Sequence, residues 1–309
     1  MKKIFILSVG VILFSVFYVQ AQAEEEDLSA SGFNKQRIEV EEKLIVPFEK
    51  YDEAWAFLKK HYVDEKKNII KLDPAFTSYY SDEEFFDTYF DTPDLKLYSD
   101  QSGVRSRKRI NLSDPNDPKN GRELMQIKIN DVSDNPLARC EIKYQIDRPI
   151  VFEDAEDKNP LLGIVKRSQR ADFRDKLIAL GLNPYSMKPI INVHDMRKRI
   201  YILKDGKPFL SLSLDKVDAE ILWAKAQFVE IEPEINEIVF TEADAAGKKY
   251  MEKIEKEIID EIRSNLPYLK QDLTPKYNKS LDRVRDKLPF FKMVLKAGVS
   301  YAEAIFICV

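Results

Sequence analysis

Cysteine and histidine are scarce in this chain: Cys140, Cys308, His61 and His194 are the whole supply in 309 residues, with no Cys-x-x-Cys spacing. That poverty excludes a disulfide-built scaffold and a zinc centre of thiolates and imidazoles. A metal held by this chain is therefore held by carboxylates, which selects magnesium, manganese or calcium. No histidine is placed to act as a general base, and His194 reads as a plain polar residue at the start of a strand. Internal repeats and low-complexity tracts are also lacking.

The apolar run at residues 4–19 follows Lys2 and Lys3 and precedes the small-x-small pattern Ala21-Gln22-Ala23 and the acidic Glu24-Glu25-Glu26-Asp27. It is shorter than the roughly 20 residues of a membrane span. Residues 1–23 thus read as a cleaved secretory signal, with an uncleaved anchor as the alternative. No cysteine precedes Cys140, so a lipoprotein cleavage box is missing. The expectation is an exported protein, periplasmic or secreted, with no stable membrane insertion after cleavage.

What the chain has in abundance is charge. Charged residues make up 33% of it, above the usual quarter, around a formal net charge of −4. Loss of Lys2 and Lys3 with the signal makes the remainder two units more acidic. A mildly acidic total argues against specific nucleic-acid binding but leaves room for a local cationic cavity.

Periodicity then divides the chain. Residues 24–35 are polar. Residues 37–46 read as a strand closed by Pro47, and Asp52 as the N-cap of a helix to Tyr62 with Ala54, Phe57, Leu58 and His61 inward. No element is assigned over 64–84. Residues 86–90 read as a strand, Asp91-Thr92-Pro93-Asp94 as a turn, Gly103 as another turn, 104–110 as a strand and 111–121 as an exposed loop. Segments 123–130 and 138–148 alternate apolar and polar and form a hairpin around 131–136. A helix is predicted at 171–180, with Phe173, Leu177 and Leu180 inward. Strands follow at 193–203, 209–217 and 227–235, the first two joined by the tight turn Asp205-Gly206. Residues 248–265 are helical, with Tyr250, Ile254, Ile258 and Ile262 at four-residue steps, and a second helical stretch covers 277–288.

Side chains alternate faces along a strand, so Glu39, Glu41 and Lys43 share one face while Val40 and Glu42 take the other. Two carboxylates about 7 Å apart on one face repel unless a cation stands near them. The same alternation isolates Arg105, Arg107 and Arg109 on one strand, Arg139 with Glu141 on another, Arg197 with Arg199 on a third, and Glu230, Glu232 and Glu234 on a fourth. A solvated outer face accounts for any one of these strands. It accounts poorly for the set, because rows of like charge on neighbouring strands repel. An antiparallel eight-stranded closed β-barrel with these faces inward and helices packed outside, an α+β fold, removes the conflict. Its interior suits a polyphosphate with bound metal: arginine forks clasp phosphate oxygens, and carboxylates hold a hard divalent cation.

Three stretches in this order, Glu39-Val40-Glu41-Glu42-Lys43, Tyr89-Phe90-Asp91-Thr92-Pro93-Asp94-Leu95 and Gly103-Val104-Arg105-Ser106-Arg107, resemble the CYTH superfamily of triphosphate tunnel metalloenzymes. The resemblance runs from about residue 37 to residue 279 and implies one tunnel domain over 24–289, followed by a tail at 290–309. It implies that Glu39 and Glu41 bind metal and that Lys43 reaches the phosphates. Arg105 and Arg107 become the first phosphate clamp and Lys128 the next basic position. Arg139 and Glu141 match an Arg-x-Glu pair, and Arg197 with Arg199 a second arginine strand. Asp215, Glu230 and Glu232 complete the metal site, and Lys276, or alternatively Lys279, is the late lysine entering the tunnel. The implied reaction is Mg2+- or Mn2+-assisted hydrolysis of a terminal phosphoanhydride, with Glu41, Glu230 and Glu232 as catalytic carboxylates. An exported member meets inorganic tripolyphosphate or short polyphosphate more readily than a nucleoside or thiamine triphosphate. The rival reading is a protein that captures polyphosphate or another polyanion without turning it over.

Overall fold

In the computed structural model, the described residues are 35–65, 67–130, 137–147, 156–288 and 291. The expected signal segment, the 131–136 turn, Cys308 and all of the tail except Phe291 lie outside them. Among the described residues, no helix is long and apolar enough to cross a membrane.

Ten strands form the sheet: β1 (Gln36–Glu41), β2 (Leu44–Val46), β3 (Phe76–Asp91), β4 (Gly103–Asn111), β5 (Glu123–Asn130), β6 (Ala138–Gln145), β7 (Lys188–Lys204), β8 (Lys207–Ile221), β9 (Ala224–Ile235) and β10 (Lys270–Gln271). Eight of them close an antiparallel ring in the order β1-β6-β5-β4-β3-β7-β8-β9, with β9 returning to β1. Closure leaves these eight without an edge and fixes which face is interior. The β7–β8 turn, Asp205-Gly206, has φ of 51° and 77°, the left-handed pair that a two-residue hairpin requires.

The opening strand is not continuous as expected. It stays in one register against β9, from Glu41 opposite Glu234 to Leu44 opposite Ile231, but Pro233 stands opposite Glu42. Glu42 N–H donates to Pro233 O at 3.1 Å, and the proline has no N–H to return. The pairing breaks at Glu42-Lys43, while the side-chain alternation survives.

Helices cover the barrel wall. The first, α1 (Tyr51–Lys59), begins one residue before Asp52 and takes Lys50 as its N-cap without a side-chain cap, so the expected Asp52 cap is corrected. It runs on into a π-helical turn at Lys60–Asp64 that buries Tyr62, while Phe57 and His61 stay half-buried, their rings 4.3 Å apart and tilted by 31°. A short α2 (Lys67–Leu72) and the first half of β3 fill the region left unassigned; β3 is far longer than the expected 86–90. Next comes α3 (Lys96–Ser99), then α4 (Arg167–Ala179), which buries Phe173 and Leu177 and leaves Leu180 half-buried. The remaining helices are α5 (Glu237–Glu242), α6 (Ala245–Asn265) and α7 (Lys276–Arg285). With α1, α6 packs Met251, Ile254, Ile258 and Ile262 on outward Ile200, Ile202, Leu212 and Ile231.

The barrel interior changes character along its axis. Inward positions of β7 read Ile191 and Val193, then Asp195, Arg197 and Arg199. Those of β8 read Ile221, Ala219 and Val217, then Asp215; those of β9 read Ala224, Ala226 and Phe228, then Glu230 and Glu232. The switch falls at one level on β8 and β9, where Asp215 is paired with Glu230 and Val217 with Phe228, and one inward pair deeper on β7, where Asp195 stands opposite Val217. Tyr277, Leu281 and Val284 of α7 bury themselves in the apolar end, which closes it. The polar end remains a cavity.

Candidate active site

The cavity has a volume of about 300 Å³, and twelve basic side chains line it against six glutamates. The wall is therefore cationic although the chain is acidic. Every inward residue expected from the alternation is there except Asp215 and Glu230, which are fully buried just behind the lining.

Arg105, Arg107 and Arg109 line it from β4, held by acids on β3. Asp87 accepts two bonds from Arg107 at 2.7 Å each and one from Arg105 at 3.0 Å, while Gln126 accepts from Arg105 Nε at 2.7 Å. Glu83 accepts from Arg109 at 3.1 Å and from the Tyr201 hydroxyl at 2.7 Å, with Arg199 3.9 Å away. Burial acts to raise Asp87 and Glu83, but the guanidinium groups outweigh it: Asp87 is lowered and Glu83 falls to about 2. These acids fix the arginine forks before any ligand arrives. Sequence reasoning missed both, although Glu83, Phe85, Asp87 and Tyr89 show the same two-residue period that revealed the arginines.

On β1, Lys128 Nζ donates to both oxygens of Glu39 at 2.7 and 2.6 Å and lies 3.7 Å from Glu141. Burial nevertheless pushes Glu39 up to about 8 against the pull of Lys128. Glu41 goes the other way: burial is outweighed by Lys43, with Lys128 and Arg139, and the carboxyl is held down to about 2. Lys43 departs from its expected place. Its ammonium stands between Glu41 at 2.6 Å and Glu232 at 2.7 Å, joining two acids rather than the arginine row. Arg139 lies 3.8 Å from Glu41 and donates to Leu273 O at 3.3 Å, just ahead of α7. Glu141 and Glu237 share Lys143 at 3.0 and 2.5 Å.

At the polar–apolar boundary, Asp215, Glu230 and Glu232 offer oxygens that all lie within 4.8 Å of one another. Arg197 forks onto Asp215 and donates to Glu232 at 2.6 Å. Lys276 enters the cluster instead of the phosphate row: its Nζ is 2.7 Å from Asp195, 2.5 Å from Asp215, 3.4 Å from Glu230 and 3.5 Å from Glu232. Asp195 is a further fully buried acid that the sequence analysis missed. Burial, against Arg197, pushes Asp215 up to about 7, whereas at Glu232 the lysines and Arg197 outweigh burial and hold the group well below the usual range. Among the described residues, Asp195 Oδ1 is buried with no hydrogen-bond donor, and Glu230 Oε1 has only the Lys276 ammonium at 3.4 Å. Such under-coordinated carboxylate oxygens in and beside a tight three-acid group fit a hard divalent cation, which would also hold Asp215 ionised. Of the other two acids expected at the metal, Glu39 is paired to Lys128, and Glu41 is joined to Glu232 of that group through the Lys43 ammonium between them.

His194 lies on the outer wall within β7, not at its start, and stacks on Phe86 at 4.5 Å. Glu42 faces outward as expected, accepting from Gln271 Nε2 at 3.0 Å. Accordingly, should the cavity catalyse a reaction, Glu42→Gln is expected to keep its rate within about twofold and Glu41→Gln to lose about 10²-fold or more; steady-state rates of the two variants check the assignment of faces.

Glu42 lines an outer pocket together with Glu255 of α6, which is buried, and whose Oε1 has no donor among the described residues. Burial, and then Glu42, push its carboxyl from 4.5 up to about 9. The folded protein holds a proton there that the unfolded chain releases, so the stability this group contributes is full below about 4.5 and is lost as pH rises through about 9. Glu255→Gln should raise stability at pH 9 by about 1–3 kcal/mol and flatten the alkaline decline, read as urea midpoints across pH.

The CYTH domain family profile matches residues 37–263. No curated protein matches the chain. Three solved structures that it resembles are HpAC1 from Hippeastrum, an adenylyl cyclase candidate with a dominant triphosphatase activity, Pct1 RNA triphosphatase from S. pombe, and PH1819 from Pyrococcus horikoshii. Identities are 16%, 11% and 18%, with TM-scores of 0.44, 0.37 and 0.39. The matches cover 82%, 89% and 72% of this chain and 98%, 99% and 89% of theirs. The likeness is distant.

Proposed function

Because the chain belongs to the CYTH domain family, we propose that it hydrolyses the terminal phosphoanhydride of a linear triphosphate, with inorganic tripolyphosphate or short polyphosphate as substrate. The observation that carries this reading is the cationic cavity wall with a three-acid group buried against it. Arg105, Arg107, Arg139, Arg199 and Lys128 bind the phosphate oxygens, Arg105 and Arg107 as forks held at fixed angles by Asp87. Asp215, Glu230 and Glu232 are the residues that would hold Mg2+ or Mn2+. When bound, such an ion supplies charge neutralisation to the transferring phosphoryl group. Glu41 lines the cavity and stays ionised, so it accepts a hydrogen bond from the attacking water and orients it. A loose phosphoryl transition state needs positioning and charge more than a strong base. Glu39 and Glu141 orient Lys128. The apolar run at 4–19 supports export, and with it an inorganic rather than a nucleotide substrate.

The test is phosphate release by the full chain from tripolyphosphate, longer polyphosphate, ATP and thiamine triphosphate, with Mg2+, Mn2+ and chelator. Metal-dependent release, fastest from tripolyphosphate or short polyphosphate, is expected. Folded protein that releases no phosphate from any of them sinks the reading. Tripolyphosphate binding that survives both chelation and Glu39→Gln marks a capture protein instead.

A further inference from the structure

Lys276 is the first residue of α7, the helix that closes the apolar end, and its side chain projects from that plug into the acid cluster. Four carboxylates converge on its ammonium, three of them from fully buried residues, and the lysine itself is 7% exposed. The nearest, Asp215 Oδ2 at 2.5 Å, belongs to the same three-acid group that would hold a divalent ion. A hard cation contacts its oxygens at about 2.0–2.6 Å. Asp215 Oδ2 already accepts from both Arg197 and Lys276, so a divalent ion finds no open position on it until one of them leaves. Arg197 is pinned by its fork on Asp215 and by Glu232, which leaves the Lys276 ammonium as the one to move. Lys279, one turn further along α7, is placed differently: it touches Glu230 Oε2 at 2.7 Å and Asp272 at 3.2 Å, whereas Lys276 approaches the other oxygen of Glu230.

Resting on the metal-site reading above, we infer that Lys276 is a tethered cation which neutralises the Asp195–Asp215–Glu230–Glu232 cluster and must withdraw for a divalent ion to bind there. Its four-carbon stem is flexible, and Lys276 also lines the cavity, so the route out leads toward the arginine row. A phosphate chain in the cavity gives the displaced ammonium a new anion. Metal and triphosphate thereby favour each other's binding, and the cluster is protected from metal when no triphosphate is present. The buried acids meanwhile never lack a counter-ion, which is what burial demands of them.

Calorimetric titration of Mn2+ into the full chain, its Lys276→Met variant and its Lys279→Met variant reads this directly. Lys276→Met is expected to bind Mn2+ about tenfold or more tighter than the parent, and Lys279→Met within about threefold. Equal tightening by both variants would mean general charge removal and overturns the inference, as does no tightening by Lys276→Met. Should that variant not fold, acetylation of the unaltered protein serves: Lys276 is expected to resist modification without Mn2+ and to react with it present, and identical reactivity overturns the inference. Both readouts are independent of turnover, so a protein that binds Mn2+ in this way yet releases no phosphate refutes the triphosphatase reading alone.

Discussion

Glu232→Gln is expected to lower triphosphate turnover by about 10²–10³-fold while leaving a folded barrel. Glu232 joins three functions: it belongs to the three-acid group, it accepts from Lys43, and it accepts from Arg197. The amide keeps the size and one acceptor but loses the charge. Lys43 retains Glu41 at 2.6 Å and Arg197 retains its fork onto Asp215, so neither cation is stranded in the interior. The loss should appear in kcat and in the metal concentration needed for half activity, with the thermal midpoint shifted by no more than a few degrees. A full loss of folded protein would show that the cluster holds the barrel together rather than serving chemistry.

Asp91→Ala should cost stability more than any change in the arginine row. The Asp91 carboxylate is fully buried at the end of β3. Its Oδ1 accepts from Thr92 N–H at 2.7 Å and Leu97 N–H at 2.9 Å, and its Oδ2 accepts from Tyr98 N–H and the Tyr277 hydroxyl, both at 2.9 Å. One side chain thus caps α3 and ties it to the helix that closes the barrel. Removing it strands three backbone donors and a tyrosine hydroxyl, a loss of about 3–5 kcal/mol. At roughly 2–4 °C per kcal/mol for a chain of this size, the melting midpoint falls by on the order of 10 °C. Asp91→Asn, which keeps an acceptor, should recover part of the loss. The Phe-Asp-Thr-Pro stretch, one of the three that carry the family resemblance, lies outside the cavity lining and supports the architecture.

The parts of this site that were legible in the sequence are those written in a two-residue period. Glu39, Glu41 and Lys43, the arginines of β4 and β7, and the acids of β9 each announce a face by alternation, and conflict between those faces closes the barrel. Three things were not legible, each for a physical reason. The break at Glu42 depends on Pro233 standing opposite it, a fact of register between strands nearly two hundred residues apart. The acids Glu83 and Asp87 meet the arginine row only through the register of β3 on β4, which sets Asp87 opposite Arg107, and Glu83 lies in a stretch whose pattern predicts no element. The position of Lys276 follows from α7 entering the apolar end, which brings it to Asp195 and Asp215 across the fold. One hint was present: Val193 before Asp195, Val217 after Asp215 and Phe228 before Glu230 place the same polar–apolar switch on three strands.

The central claim, that triphosphate and metal meet inside this barrel, is tested most directly by a crystal structure of the full chain grown with Mn2+ and a non-hydrolysable tripolyphosphate analogue. The account predicts an anomalous manganese peak bounded by Asp215, Glu230 and Glu232, with phosphates against Arg105, Arg107 and Lys128 and the Lys276 ammonium turned toward them. Manganese and phosphates bound on the outer wall, with the interior ion pairs unchanged, would contradict it.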